Sequence, residues 1–364
     1  MQMLTIRRAV VVLAASVPFL SMCAACGAQP ASTDAMDASE AQIERIRSIR
    51  ESLRRFGIAD APEKPAGTFR LTNYNIENLF DDHDDPSLSG RDEDIDDRKP
   101  DHELAAAALA IREIDPDILC LQEVESRQAL DWFVERYLGG MGYEHIVSID
   151  AGNSRGIENA VLSRHPIVHH ENWPNKPLGG VHPEKYGDKP NWYAGEPIAF
   201  RRSPLRVDVE IPGGEGAEPW TLTMFVMHHK SGRYNDYWRE AEARGTLKLI
   251  EEVQRRHPDR AITVLGDFNA QIGDTSVDLY LQNGFKDLFG DAEPSDEIVT
   301  HESGRRIDMI LANEPAYDRI RADEAFVYGT AARPASVDWR EMATFKGYAS
   351  DHYPVTVDVS LHKD

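Results

Sequence analysis

Short apolar runs recur along this chain, and six of them carry acids, amides or histidines at or beside an end. FRLTNYNIEN delivers Asn75, Glu77 and Asn78, and DILCLQEVE delivers Gln122 and Glu123. FVMHHKSG ends on His228 and His229, and TVLGDFNA on Asp267 and Asn269. RIDMIL holds Asp308 inside an apolar stretch, and Ser350-Asp351-His352 stands directly before the final apolar run. One such residue is an ordinary cap or a satisfied core group. Six from distant parts of the chain point to one polar site along one edge of the sheets. The runs at 69–76, 117–124, 159–164, 205–211, 221–229, 261–266, 306–312 and 353–361 read as strands. Residues 101–114 read as a helix with Asp101 as candidate N-cap and Pro116 just past the end, and 234–256 as a longer helix containing Gly245. Strands and helices alternate without strict βαβ units, so the pattern gives α+β.

The first 26 residues stand apart. Arg7-Arg8, a short apolar run and small residues form a signal-peptide pattern. The apolar run falls short of the roughly 20 residues a membrane span needs. LSMCAACGAQ resembles a bacterial lipoprotein signal, with Cys26 after Ala24-Ala25 the favoured lipidation site; Cys23, or simple cleavage after a small residue, are the alternatives. The expected organisation is a signal over 1–26, a tether over 27–67 with one amphipathic helix, and one domain over 68–364. The protein is expected to be an exported monomer, periplasmic or at the cell surface, touching membrane only through a lipid anchor. Its net charge of -22 excludes attachment to long duplex nucleic acid by a general positive field, so polyanion contacts must be local.

Oxygen ligands without thiolates suit Mg²⁺, Mn²⁺ or Ca²⁺. Cys120 sits in an apolar run, which fits a buried thiol, and neither a disulfide framework nor a Cys-based zinc site is available. A hard cation polarises a phosphoryl oxygen. Aspartate near histidine supports proton abstraction from water. Asparagine can hydrogen-bond a phosphate without adding charge. The chain has no Gly-rich phosphate loop and no serine in a nucleophile elbow, which leaves direct attack by activated water.

YNIEN, LQEVE, LSRHP, MHHKSG, LGDFNA, RIDMIL and SDHYPV follow the order seen in the endonuclease/exonuclease/phosphatase superfamily, and the chain resembles that superfamily over about residues 68–362. The resemblance implies a four-layer α/β/β/α sandwich and metal-dependent hydrolysis of a phosphate ester. It implies Glu123 as principal metal ligand, with Asn75, Glu77 and Asp351 completing the metal shell. It implies Asp267 as the acid that orients water, Asn269 and Asn75 as phosphate contacts, and His228 as a donor to the phosphoryl oxygens. Asp308 is then the acid that orients His352, the second catalytic histidine, while His229 packs or faces solvent. Arg155 is a candidate phosphate contact, Glu158 either a partner of His228 or a plain strand-end charge, and Arg239 and Arg244 helix-surface charges.

Two inserts interrupt the motifs. Residues 81–103 hold eleven acids against three Arg or Lys, which reads as a solvated loop without the spacing of a calcium-binding loop. Residues 173–197 interleave Trp173, Tyr186, Trp192 and Tyr193 with three lysines, which suits stacked bases and phosphates, lipid headgroups, or an ordered Pro/Gly-rich loop. Nucleic acid is the first-choice substrate. A phosphatase or phospholipase-type diesterase of the phosphoinositide or sphingomyelin class is the alternative, weakened for sphingomyelin because no apolar hairpin is evident. A non-catalytic exported binding protein is the third reading.

Overall fold

The computed structural model describes residues 40–83, 98–153, 155–214, 216–290, 292–335, 337 and 342–362; the segment expected to be a signal, Cys26 and most of the acidic insert lie outside them. Two six-stranded sheets form the body. The first runs in space through β15 (Phe326–Val327), β16 (Val355–Ser360), β1 (Thr68–Leu79), β2 (Ile118–Val124), β4 (Glu158–Ser163) and β3 (His145–Ser148). The second runs through β13 (Lys286–Asp287), β14 (Asp308–Ala312), β12 (Ala261–Asp267), β11 (Trp220–His228), β10 (Leu205–Ile211) and β5 (Ile167–Asn172).

Strand periodicity explains how these sheets stack, because successive side chains point to opposite faces. In β2, Ile118 and Cys120 enter a core shared with Val207, Met224, Leu265 and Ile310 of the second sheet. Leu119 and Leu121 instead meet α2 (Asp101–Ile114) and α3 (Arg127–Tyr137) through Leu104, Ile111 and Phe133. On the far side, Ile262 and Val264 of β12 pack on α4 (Asp236–Arg256) and α5 (Thr275–Gln282) through Ile250, Val253 and Val277. The layers are therefore helix, sheet, sheet, helix. Burial on both faces suits the continuous apolar run 118–121 of β2, whereas β10 and β16 alternate apolar residues with buried polar ones.

The helix at 101–114 forms with those bounds, but Pro100 occupies the N-cap position and Asp101 lies in the first turn. Fixed φ suits proline there, and the Asp101 carboxylate instead accepts from Tyr137 Oη at 2.9 Å. The segment expected as a tether is docked in its later part. Its helix α1 (Glu40–Leu53) forms, and Arg50 pairs with Glu113 of α2. Phe56 is buried in the inter-sheet core, and Ile58 N donates to Val327 O at 2.8 Å. Among the described residues no helix is long and apolar enough to cross a membrane.

Within the first sheet a buried ion pair fixes register. Arg70 and Asp358 face each other across β1 and β16, and Nε and Nη2 each donate to the carboxylate at 2.8 Å. Nη1 donates to Ile114 O, also at 2.8 Å, tying the sheet to α2. Removing one partner strands the other charge, so Arg70→Leu is expected to cost about 3–5 kcal/mol. Arg70→Leu with Asp358→Leu should cost less than the single change. Urea denaturation reads both; a double variant less stable than the single would contradict this account.

Candidate active site

Lateral pairing lines up three predicted residues. β11 and β12 are parallel with His228 beside Asp267, and β12 and β14 are antiparallel with Asp267 opposite Asp308. The glycine before Asp267 makes this row possible. Gly266 has φ 143, and a Cβ there would lie 2.0 Å from Met227 O. Only a residue without Cβ lets β12 approach β11 in that conformation. Phe268 then turns into the helix-side core, and Asn269, at φ 50, folds back. Asn269 N and Nδ2 donate to the two Asp267 oxygens at 2.8 and 3.0 Å.

The first sheet delivers its residues by breaking its own pairing. Register shifts between Asn75 and Leu79 in β1, and between Gln122 and Val124 in β2. Glu77, Asn78 and Glu123 take positive φ of 55, 52 and 62. Such irregularities re-aim side chains, and left-handed non-glycine residues concentrate at functional sites. Asn75 bridges the sheets: Nδ2 donates to Asp267 Oδ2 at 3.3 Å and lies 3.4 Å from His352 Nε2. Asn78 N donates to Glu123 Oε2 at 3.2 Å. Glu123 Oε1 faces His228 Nε2 at 3.6 Å and Arg155 Nη1 at 3.9 Å.

Two carboxylates opposed on neighbouring strands repel, and His352 lies between them. Its Nδ1 is 2.8 Å from Asp308 Oδ2 and its Nε2 is 3.9 Å from Asp267 Oδ2. Burial alone would lower the imidazole pKa, but Asp308, Asp351 and Asp267 outweigh it and hold His352 well above its usual value. His228 goes the other way: burial, then the nearby Arg202 guanidinium, holds it well below. The surroundings thus shift the two histidines in opposite directions. Burial raises the Asp267 pKa, with Asp308 adding to the effect and His352 opposing it.

Donors for a hard cation cluster here. Asp267, Asp308 and His352 bring one ligand atom each within 4.8 Å of one another, as do His301, Asp351 and His352. The buried Asp308 Oδ1 has no hydrogen-bond partner among the described residues. Neither group includes Glu123, whose Oε1 faces His228 Nε2 at 3.6 Å instead; the acids and histidines of both groups are donors of the kind a divalent ion takes. Glu77, expected in the metal shell, is instead taken up by protein: Oε2 accepts from Tyr348 Oη at 2.8 Å and from Asp351 N at 3.0 Å, and Arg333 lies 3.6 Å from Oε1. Burial and the Asp351 charge push its pKa up to about 7. Its left-handed backbone turns it toward the 348–351 segment, which it holds in place.

Other expectations change with the packing. Arg155 reaches the site, donating to Asn78 Oδ1 at 2.6 Å. Glu158 accepts from Ser148 Oγ at 3.0 Å and does not bond His228. Arg239 is buried, and Nη1 donates to Lys230 O and Gly232 O at 3.0 Å each, clamping the loop after β11. Arg244 is a surface charge near Glu240. His229 is buried against Phe268 and Tyr280. Sequence reasoning missed His301, which sits 3.5 Å from Asp351 Oδ2 with its ring 4.6 Å from that of His352. It also missed Arg202, which donates to His229 O at 3.1 Å. Neither carries a motif; both lie in irregular segments whose place only the fold reveals.

The model of the Endonuclease/Exonuclease/phosphatase family matches residues 73–352. No curated protein matches the sequence. Among solved structures, the human Nocturnin catalytic domain with bound sulfate has a TM-score of 0.51 at 15% identity, covering 81% of this chain and 95% of that one. An endonuclease/exonuclease/phosphatase family protein from Bacteroides thetaiotaomicron has a TM-score of 0.50 at 17% identity, covering 80% and 97%. At these identities the likeness is one of fold, and it agrees with the four layers described above.

The Asp308 carboxylate is the nearest source of the His352 charge. In EDTA-treated protein, the His352 NMR titration midpoint should lie above the usual 6.5 and drop by at least about one unit in Asp308→Asn. An unchanged midpoint would show that Asp308 does not set the charge.

Proposed function

The chain belongs to the endonuclease/exonuclease/phosphatase family, whose members are divalent-metal-dependent phosphoesterase hydrolases, and from that premise we propose that it hydrolyses a phosphate ester by direct attack of water, with Mg²⁺ as the expected ion. The observation that carries this reading is the convergence of Asn75, Glu123, His228, Asp267, Asn269 and the Asp308–His352 pair from both sheets. Glu123 and Asp351, with Asn75, would hold the cation. Bound there, a divalent ion polarises the phosphoryl oxygen and offsets its growing negative charge.

The protein groups divide the remaining work. Asp267 takes a proton from water, oriented by the two hydrogen bonds from Asn269. The water oxygen bonds to phosphorus, the ester P–O bond breaks, the leaving oxygen takes a proton from solvent, and Asp267 later returns its proton to solvent. Neutral His228 hydrogen-bonds a phosphoryl oxygen. Charged His352, oriented by Asp308, stabilises the negative charge that collects there. Arg155, which the packing places beside Glu123, contacts the phosphate.

Nucleic acid remains the first-choice substrate class, entering through local contacts because the net charge of -22 gives no general attraction. Export and lipid attachment at Cys26 are part of the same proposal and rest on the Arg7-Arg8, apolar and CAAC sequence. A monomeric state is also proposed.

The purified protein should hydrolyse bis-p-nitrophenyl phosphate, p-nitrophenyl phosphate or plasmid DNA with Mg²⁺, Mn²⁺ or Ca²⁺ and lose that activity in EDTA. Glu123→Gln keeps the shape and removes a ligand charge. Turnover should fall by more than about a hundredfold, beyond the roughly 10–100-fold expected from losing a supporting group around a metal. Full activity in Glu123→Gln or in excess EDTA refutes the assignment.

A further inference from the structure

Two long connections leave the sheets. The one after β5 pairs with itself, as β6 (Pro177–Val181) on β9 (Pro197–Ala199) and β7 (Lys185–Tyr186) on β8 (Lys189–Pro190). The one between β15 and β16 carries Asp351 and His352, and its support comes from elsewhere in the chain. The Asp351 backbone is gripped on both sides. Its N–H donates to Glu77 Oε2 at 3.0 Å, and its carbonyl accepts from Glu302 N at 2.7 Å. Both acids face a single guanidinium, that of the buried Arg333: Nη2 lies 3.6 Å from Glu77 Oε1, and Nε lies 3.7 Å from Glu302 Oε2. Arg333 N also donates to the Glu302 carboxylate. Tyr348 closes the group. Its ring centroid is 4.5 Å from the guanidinium carbon, and its hydroxyl accepts from Arg333 Nη2 and donates to Glu77 Oε2 at 2.8 Å.

Arg333 is itself placed by the segment that precedes the first sheet. Leu53 O accepts from Ala332 N at 3.1 Å, and Arg55 Nη1 donates to Arg333 O, also at 3.1 Å. Arg54 bridges to Ala331, and Ala331 bridges to Tyr348. Helix α1 lies against the same stretch: a Cβ on Gly347 would be 2.9 Å from Ile49 Cγ2. The helix stands on α2, where Glu113 pairs with both Arg47 and Arg50. The Phe56 and Tyr353 ring centroids are 5.9 Å apart. A tether needs only length and solvation. Here contacts run unbroken from residues 49–56, through 331–333 and Tyr348, to the backbone of Asp351.

We propose that Arg333 and Tyr348 are positioning residues for the phosphoesterase site, and that the docked segment 49–56, which braces Arg333, is a working part of that site. The inference rests on the phosphoesterase reading and adds to it residues that carry no motif. Asp351 is one of the expected cation ligands and His352 follows it directly, so any shift of this backbone moves both. A displacement of about 1 Å at a reacting group can cost about a hundredfold in rate. A buried guanidinium flanked by two carboxylates keeps one arrangement, because separating them strands charge. Arg333 thereby fixes Glu77 and Glu302, and those two fix Asp351 from either side.

Tyr348→Phe in the full chain removes a hydroxyl and no charge, and circular dichroism checks that the variant is folded. Its tightest Mn²⁺ site, titrated by electron paramagnetic resonance, should weaken about 10–100-fold, the usual loss when a group supporting a metal ligand is removed. At saturating Mn²⁺, kcat on p-nitrophenyl phosphate or its bis ester should fall by a similar factor with KM unmoved. Arg333→Met should lower kcat in the same way. The double variant should be scarcely worse than the worse single, because both residues act through Glu77. Arg55→Met, at a half-buried position, reads the brace, and kcat should fall about 3–10-fold, the worth of one hydrogen bond. Unchanged Mn²⁺ affinity and kcat in Tyr348→Phe, or single losses that multiply in the double variant, would overturn the positioning role. An unmoved Arg55→Met would overturn the brace, and it decides alone if Tyr348→Phe does not fold. If the unsubstituted protein hydrolyses neither ester, the phosphoesterase reading falls, and the Mn²⁺ titration still decides whether Tyr348 positions the ligand.

Discussion

Backbone pairing between β11, β12 and β14 sets His228, Asp267 and Asp308 side by side, and the rest of the site answers to that placement. A slip of one residue along β12 would send Asp267 to the opposite face. Correct register, however, places two buried carboxylates opposite each other, an arrangement that costs free energy unless a positive charge lies near. His352 supplies one. It comes from the other sheet, just before β16, and its two ring nitrogens face the two acids. The inter-sheet packing therefore has an electrostatic counterpart at its polar edge, and Asn75 reinforces it by bonding Asp267 across the same gap.

The strand ends themselves carry strain. Glu77, Asn78, Glu123 and Asn269 all adopt left-handed backbone, which costs about 1–3 kcal/mol for each non-glycine residue. Local bonds oppose that cost: Asn75 Oδ1 accepts from Glu77 N at 3.1 Å, Asn78 N bonds Glu123, and Asn269 N bonds Asp267. A regular strand would send alternate side chains to the two faces of its sheet. Interrupting it turns neighbouring polar groups into one cluster while the apolar run behind them stays in the core. Glu77 shows the device serving structure: its carboxyl fastens the segment that presents Asp351 and His352.

Much of this was legible because buried strands are largely apolar, so acids and amides gathered at their ends stand out. That is how Asp267, Asp308 and Glu123 could be found, and why the core strands could be placed to within a few residues. Arg202, Arg333 and Tyr348 gave no such signal. They lie in irregular segments between strands, where charged and aromatic residues are common, and only tertiary packing brings them to the site. Arg239 misled for a related reason: on a helix of alternating charge a buried arginine looks like its exposed neighbours, and nothing in the sequence shows that it turns back on the carbonyls of the loop just before its own helix. The docking of residues 54–58 was hidden in the same way. Phe56 sits in a polar, arginine-rich stretch, and its partner Tyr353 lies almost at the other end of the chain.

The central claim is that these strand ends hold a divalent cation beside Asp267. Manganese-soaked crystals, measured at an energy where manganese scatters anomalously, test it directly. The account predicts an anomalous peak within coordination distance of a Glu123 carboxylate oxygen, with His228 and Asp267 facing it. A peak bound only by His301 and Asp351, or no peak at the strand ends, would contradict it.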